Sequence, residues 1–134
     1  MRVLIVEDQS ILAFDLEHNV FNEGHKVIGI AGSMSEALAL ANRGKPDLAF
    51  VDVQLTDGAT GVAIAAKLAS PNLKVVFTTA SPDLLPSDGG GATGLLVKPY
   101  SAAAVCQTLG YIAHLLKLGE QVDAPHQLRT FANA

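Results

Sequence analysis

The 134 residues are enough for one domain with a real core and too few for two. Apolar residues make up 49% of the chain and charged residues 16%, the balance of an ordinary globular sequence rather than a disordered one. The net charge is −4, the basic residues are scattered, and no apolar run reaches the roughly 18–20 residues of a membrane span, so neither nucleic acid nor a membrane is an expected partner.

In chain order, residues 2–6 form a short aliphatic run that reads as a strand. Acids follow it at once, unlike a signal peptide, and Met1 directly before it reads as a natural start. Residues 9–23 carry Leu12, Leu16 and Val20 at helical spacing and stop at Gly24; Phe14 and Phe21 on the same helix are read as core packing, with a further partner face as the alternative. Residues 26–31 are a second strand. Residues 35–43 form a second helix, opened by Ser35 as N-cap and closed at Gly44. Strands at 48–51 and 73–78 flank an alanine-rich helix at 60–69 that ends before Ser70-Pro71. Between the fourth strand and a fifth at 94–97, a further helix is expected, but Pro82, Pro86 and Gly89-Gly90-Gly91 oppose it. Proline and glycine cost a helix about 3 and about 1 kcal/mol each, so one short turn at 82–85 and then an irregular loop are predicted. A last helix runs from Ser101 over 101–118 to Gly119. The tail 119–134 reads as a frayed end or a clip onto a neighbour, with no separate output domain after residue 118.

Most of these strands are continuously apolar, as in a parallel sheet covered on both faces. The alternation predicts a doubly wound α/β fold with a shortened fourth helix, and in such sheets the functional crevice lies at the carboxyl ends of the strands. Polar residues stand there: Glu7 and Asp8 after the first strand, Asp52 after the third with Asp57 in the next loop, Thr78 and Thr79 at the end of the fourth, and Lys98 after the fifth. Taken singly each is weak, since a Lys-Pro after a strand is usually a turn and an acidic pair is usually just solvated. Their joint placement at successive strand ends is what carries meaning.

Like charges about 4 Å apart repel by roughly 1 kcal/mol in water and about 4 kcal/mol near a protein surface. Three carboxylates facing one lysine therefore need further positive charge, which an oxygen-preferring Mg²⁺ would meet. A carboxylate beside that cation can act as a nucleophile toward phosphorus, with Lys98 and the Thr79 hydroxyl as partners of the phosphoryl oxygens.

The motifs Val6-Glu7-Asp8, Asp52-Val53-Gln54-Leu55, Thr79-Ala80 and Gly94-Leu95-Leu96-Val97-Lys98-Pro99 resemble those of the response-regulator receiver family over residues 1–118. The resemblance implies a flavodoxin-like five-stranded parallel sheet in the order 2-1-3-4-5. It also implies Mg²⁺ at Glu7, Asp8, Asp52 and the Gln54 main-chain carbonyl, with phosphoryl transfer to Asp52 from a histidine kinase or histidine phosphotransfer protein. Thr79 would be the switch hydroxyl and Lys98 the phosphate clamp. The segment 77–85 is similar to receivers of alphaproteobacterial general-stress regulators of the PhyR type. Three positions depart from the family pattern: Thr56 stands where a proline is usual, the loop glycine comes one residue late at Gly61, and Leu95 replaces the aromatic switch residue.

Output is expected by contact, to a downstream protein or in a homodimer, through the 81–93 loop, the fifth strand and the last helix. On that helix Val105, Leu109, Ile112 and Leu116 form a stripe toward the sheet, while Ala104, Tyr111, Leu115 and Leu118 form a second that is either core beneath the tail or a partner face. The single Cys106 cannot form an internal disulfide, which fits a reducing cytoplasm. His18, His25, His114 and His126 lack the spacing of a structural zinc site. An aspartate-nucleophile phosphohydrolase would need an acid where Gln54 stands. An FMN protein would need a phosphate loop after the first strand. A receiver that no longer takes phosphate and serves only as an interaction domain is opposed by the intact motif set.

Overall fold

Strands that are mostly apolar on both faces have little to give to water, and this chain covers them with helices on both sides. The computed structural model describes residues 1–119 and 122–131. Its strands are β1 (Arg2–Val6), β2 (Lys26–Ala31), β3 (Leu48–Asp52), β4 (Lys74–Thr79), β5 (Gly94–Val97) and β6 (Leu128–Thr130). The helices are α1 (Ser10–Asn22), α2 (Met34–Gly44), α3 (Gly61–Leu68) and α4 (Ala102–Leu118). The sheet runs β2-β1-β3-β4-β5-β6, parallel except that β6 is antiparallel to β5.

Strand residues alternate between two cores, as the twofold strand repeat requires. Val3, Ile5, Phe50, Val76 and Leu96 pack with α1 and α4 through Leu16, Val20, Val105, Leu109 and Ile112. Leu4, Val51, Val75, Phe77 and Leu95 pack on the other face with Ala37, Ile64 and Ala65 of α2 and α3. Burying a Val, Leu, Ile or Phe side chain in this way is worth about 1.5–3 kcal/mol. That burial is what holds the strand ends in fixed register.

The five predicted strands and their order are present, but the sheet has six. The tail supplies β6, so its described part pairs with the chain's own β5 rather than fraying or reaching a neighbour. Residues 120, 121 and 132–134 of that tail lie outside the described residues. The crossover between β4 and β5 holds two short 3₁₀ turns, Pro82–Leu84 and Gly89–Gly91, where one was expected. The second exists because its glycines adopt positive φ and the Asp88 side chain accepts from Gly90 N–H at 3.0 Å.

The N-cap of α2 lies two residues before the predicted Ser35. Ser33 is the cap, accepting from Glu36 N–H at 3.4 Å while the Glu36 carboxylate accepts from Gly32 N–H at 2.9 Å. On α1, Ala13, Leu16 and Val20 face the core; Phe14 and Phe21, assigned to the core from sequence, are 60% and 72% exposed. Their positions fall about a quarter turn or more from the buried stripe. On α4 the second stripe is largely core: Ala104 is buried, Tyr111 and Leu115 pack on the same cluster, and Leu118 projects outward.

Candidate functional site

Main-chain pairing carries each functional residue to the last rung of the sheet. Glu7 N–H donates to the Ala31 carbonyl at 2.8 Å, so the β1–β2 pairing extends one residue past Val6. Asp52 ends β3 opposite Thr78 of β4. Lys98 N–H donates to the Thr79 carbonyl at 2.8 Å, extending β5 in the same way. Residues 91 apart in sequence therefore meet at hydrogen-bond distance on a rigid frame.

At the centre is the Lys98 ammonium. Its Nζ donates to Glu7 Oε1 at 2.7 Å and to Asp52 Oδ2 at 2.9 Å. Each carboxylate keeps a second oxygen directed elsewhere: Glu7 Oε2 accepts from Gln9 N–H at 3.2 Å, and Asp52 Oδ1 accepts from Gln54 N–H at 3.4 Å. Glu7 and Asp52 are buried, while Asp8 is exposed at the crevice mouth. One carboxylate oxygen from each of the three lies within 4.8 Å of the others. Burial pushes the Glu7 carboxyl above its ordinary range, although Lys98 and the Gln9 N–H pull it down. For Lys98 burial would lower the pKa, but its bonds to Glu7 and Asp52 outweigh that and hold the ammonium protonated.

Three carboxylates against one ammonium leave an excess of negative charge, and every available donor is oxygen. That donor set suits a hard divalent cation such as Mg²⁺ and has nothing to offer a thiophilic one.

Thr79, the last residue of β4, is buried and its Oγ1 accepts from Ser81 N–H at 3.0 Å. The Thr79 hydroxyl is thus tied to the start of the 81–93 segment. Thr78 is buried beside it on the rung opposite Asp52. Asp57, in the loop after Asp52, does not join the three carboxylates: it accepts from Met34 N–H at 3.0 Å and Thr60 Oγ1 at 2.7 Å. These two bonds hold its carboxyl below the usual range and fasten the loop after β3 to the start of α2.

The departures at Thr56 and Gly61 have structural reasons. Thr56 donates its N–H (3.3 Å) and its hydroxyl (2.7 Å) to the Gly32 carbonyl, and the first of these a proline could not make. Gly61 lies against the backbone of Asp52 and Val53. A Cβ there would stand 2.2 Å from the Asp52 carbonyl oxygen, so only glycine lets α3 begin at this point. Sequence reasoning missed Tyr100. It lines a hollow of about 330 Å³ with Leu12, Asp15, Ala80, Lys98 and Pro99. Burial and then the nearby Glu7, Asp15 and Asp52 push its hydroxyl well up, so the ring stays neutral. The signal was an aromatic two residues after Lys98.

Residues 3–110 match the family described as "Response regulator receiver domain". Among curated proteins, the phyllosphere-induced regulator PhyR of Methylorubrum extorquens is 38% identical over 106 residues, 77% of this chain and 40% of that protein. The transcriptional regulatory protein PdtaR of Mycobacterium tuberculosis is 38% identical over 104 residues, 75% of this chain and 50% of that one. The chain thus spans 40–50% of the length of these relatives. Among solved structures, the receiver domain of Erythrobacter litoralis PhyR superposes with a TM-score of 0.76 at 29% identity, covering 90% of this chain and 95% of that one. A receiver domain of a modulated diguanylate cyclase from Desulfovibrio desulfuricans, titled an example of alternate folding, gives 0.73 at 31% identity, covering 89% and 98%.

Proposed function

The chain belongs to the response-regulator receiver family, and from that membership we propose that it is a phosphorylation switch whose phosphate acceptor is Asp52. The observation that carries the reading is the Lys98 ammonium, just past the end of β5, bridging Glu7 after β1 and Asp52 at the end of β3. The donor is the phosphohistidine of a histidine kinase or phosphotransfer protein in the cytoplasm. Glu7, Asp8, Asp52 and the Gln54 carbonyl would hold Mg²⁺, which would supply positive charge against the phosphoryl oxygens.

An Asp52 carboxylate oxygen forms the new bond to phosphorus as the donor's P–N bond breaks. The electron pair stays on the donor imidazole, which takes up a proton. Lys98 is already within reach of Asp52 and exchanges its carboxylate contact for a phosphoryl oxygen, so charge is neutralised without rebuilding the site. The Gln54 N–H stays beside the acceptor and keeps its carboxylate oriented. The product adds about −1.5 to −2 charges at one point, and the Thr79 hydroxyl, now an acceptor for Ser81 N–H, turns to donate to it. The response then passes to the 81–93 segment and to β5, where a downstream protein or a second copy reads it.

The test is incubation with acetyl phosphate and Mg²⁺, followed by intact mass, for the wild type and for Asp52→Asn. One phosphoryl adduct that needs Mg²⁺ and vanishes in the variant is expected. An adduct of equal size in Asp52→Asn would overturn the acceptor assignment.

A further inference from the structure

The tail fits its place too closely to be a loose end. Leu128, Arg129 and Thr130 pair antiparallel with Leu96, Leu95 and Gly94, and Phe131 N–H donates to the Thr93 carbonyl at 3.2 Å. Three residues apart on an extended segment, Leu128 and Phe131 fall on opposite faces of the sheet. Leu128 is buried in the core beneath α4, while Phe131 packs in the other core, edge-on to Phe77 with ring centroids 6.5 Å apart.

The receiving side is hollowed to match. A Cβ on Gly89 would stand 2.3 Å from Phe131 Cγ, and one on Gly94 would stand 2.8 Å from the Arg129 carbonyl oxygen and 2.9 Å from Leu128 Cδ1. Gly89 is itself buried and at φ +79°, where glycine is at ease. Where a full crossover helix would cover this face, the glycine turn and the Phe131 ring do so instead. The seat also adjoins the switch. Phe77 lies two residues before Thr79 on the same strand face and pairs with Leu95, while Ser81, bonded to the Thr79 hydroxyl, opens the 81–93 segment that carries Gly89.

We propose that the outer edge of β5, with the hollow between Gly89 and Phe77, is the output docking site, held in the resting state by the chain's own residues 128–131. Phosphorylation frees it for an extended segment of a downstream protein that carries an apolar residue and, three positions later, an aromatic one. A strand edge offers unpaired main-chain groups to any added strand, and side-chain pockets on alternate faces select the sequence. The resident segment displays the pattern the site accepts. It is short, with three paired residues, so a longer partner strand can displace it. The inference rests on phosphorylation at Asp52 only for its trigger.

The test uses the full chain and a fluorescein-labelled peptide His-Gln-Leu-Arg-Thr-Phe as probe, read by anisotropy. Wild type should bind weakly until treated with acetyl phosphate and Mg²⁺, when affinity rises at least about tenfold. Phe131→Ala should bind tightly without phosphate, and a probe ending in Ala should not bind either protein. Hydrogen exchange at the Phe131 amide should quicken on phosphorylation of the wild type. Equal probe binding in all states, in samples shown by mass to be phosphorylated, would overturn the proposal. So would exchange of tails between copies, seen as a stable dimer with no gain in probe binding. If no phosphoryl adduct forms, the acceptor reading fails while the Phe131→Ala arm still decides the docking site. Far-UV dichroism verifies that this variant is folded.

Discussion

Replacing Lys98 by Met removes the one ammonium that bridges the crevice and keeps most of its packing volume. Glu7 and Asp52 are then left with side-chain exposures of 3% and 9% and no cation between them. Their facing oxygens lie within 4.8 Å, and at an effective dielectric of about 20 that spacing gives a repulsion of about 3.5 kcal/mol. Stripping one partner from a buried ion pair costs about 3–5 kcal/mol in other proteins, so a loss of about 3 kcal/mol is expected in chelator near neutral pH. The sign with pH follows from Glu7. Its folded pKa is already raised by burial, and losing Lys98 raises it further. The native state then holds a proton that the unfolded chain releases, so stability returns as pH falls through the raised value toward the ordinary one. Mg²⁺ should restore it as well, by replacing the missing charge. Urea unfolding followed by far-UV dichroism, at about pH 7.5 and about pH 5.5 and with or without millimolar Mg²⁺, measures all three effects. A loss below about 1 kcal/mol that ignores both pH and Mg²⁺ would refute the reasoning, because the carboxylates would then not be feeling one another.

Three further outcomes are expected. Gly61→Ala places a methyl against the Asp52 carbonyl and should cost about 1–3 kcal/mol in urea unfolding while slowing phosphate uptake from acetyl phosphate. Mg²⁺ affinity, followed by calorimetry, should fall as pH drops through the raised Glu7 pKa, earlier than an ordinary carboxylate would give; Glu7→Gln should remove that early step. Thr79→Ala should still form the Asp52 adduct by intact mass, but hydrogen exchange in residues 81–93 should no longer respond to it, because the hydroxyl that links Ser81 to the acceptor is gone.

The site was legible because its geometry is set by strand ends, and strand ends are visible as places where an aliphatic run stops. Glu7, Asp52, Thr79 and Lys98 each stand at such a stop, and parallel pairing brings the stops together. For Asp57, which sits in a loop, sequence distance from Asp52 says nothing about direction; its partners Met34 and Thr60 turn it outward. Phe14 and Phe21 misled for a similar reason. Being aromatic argues for burial, yet the angular position on α1 relative to Ala13, Leu16 and Val20 decides, and the sheet it faces is not in the local sequence.

By itself the sequence determined the order of strands and helices, the two-sided burial of the sheet, and the set of polar residues at its carboxyl edge. These follow from periodicities of 2 and 3.6 residues and from proline and glycine, all of which act within a few positions along the chain. The tertiary structure alone decided that residues 128–130 are a strand and that Phe131 fills the space left by a missing helix. Three residues cannot declare themselves a strand; only the open edge of β5 and the hollow at Gly89, more than thirty residues away, give them something to pair with and fill.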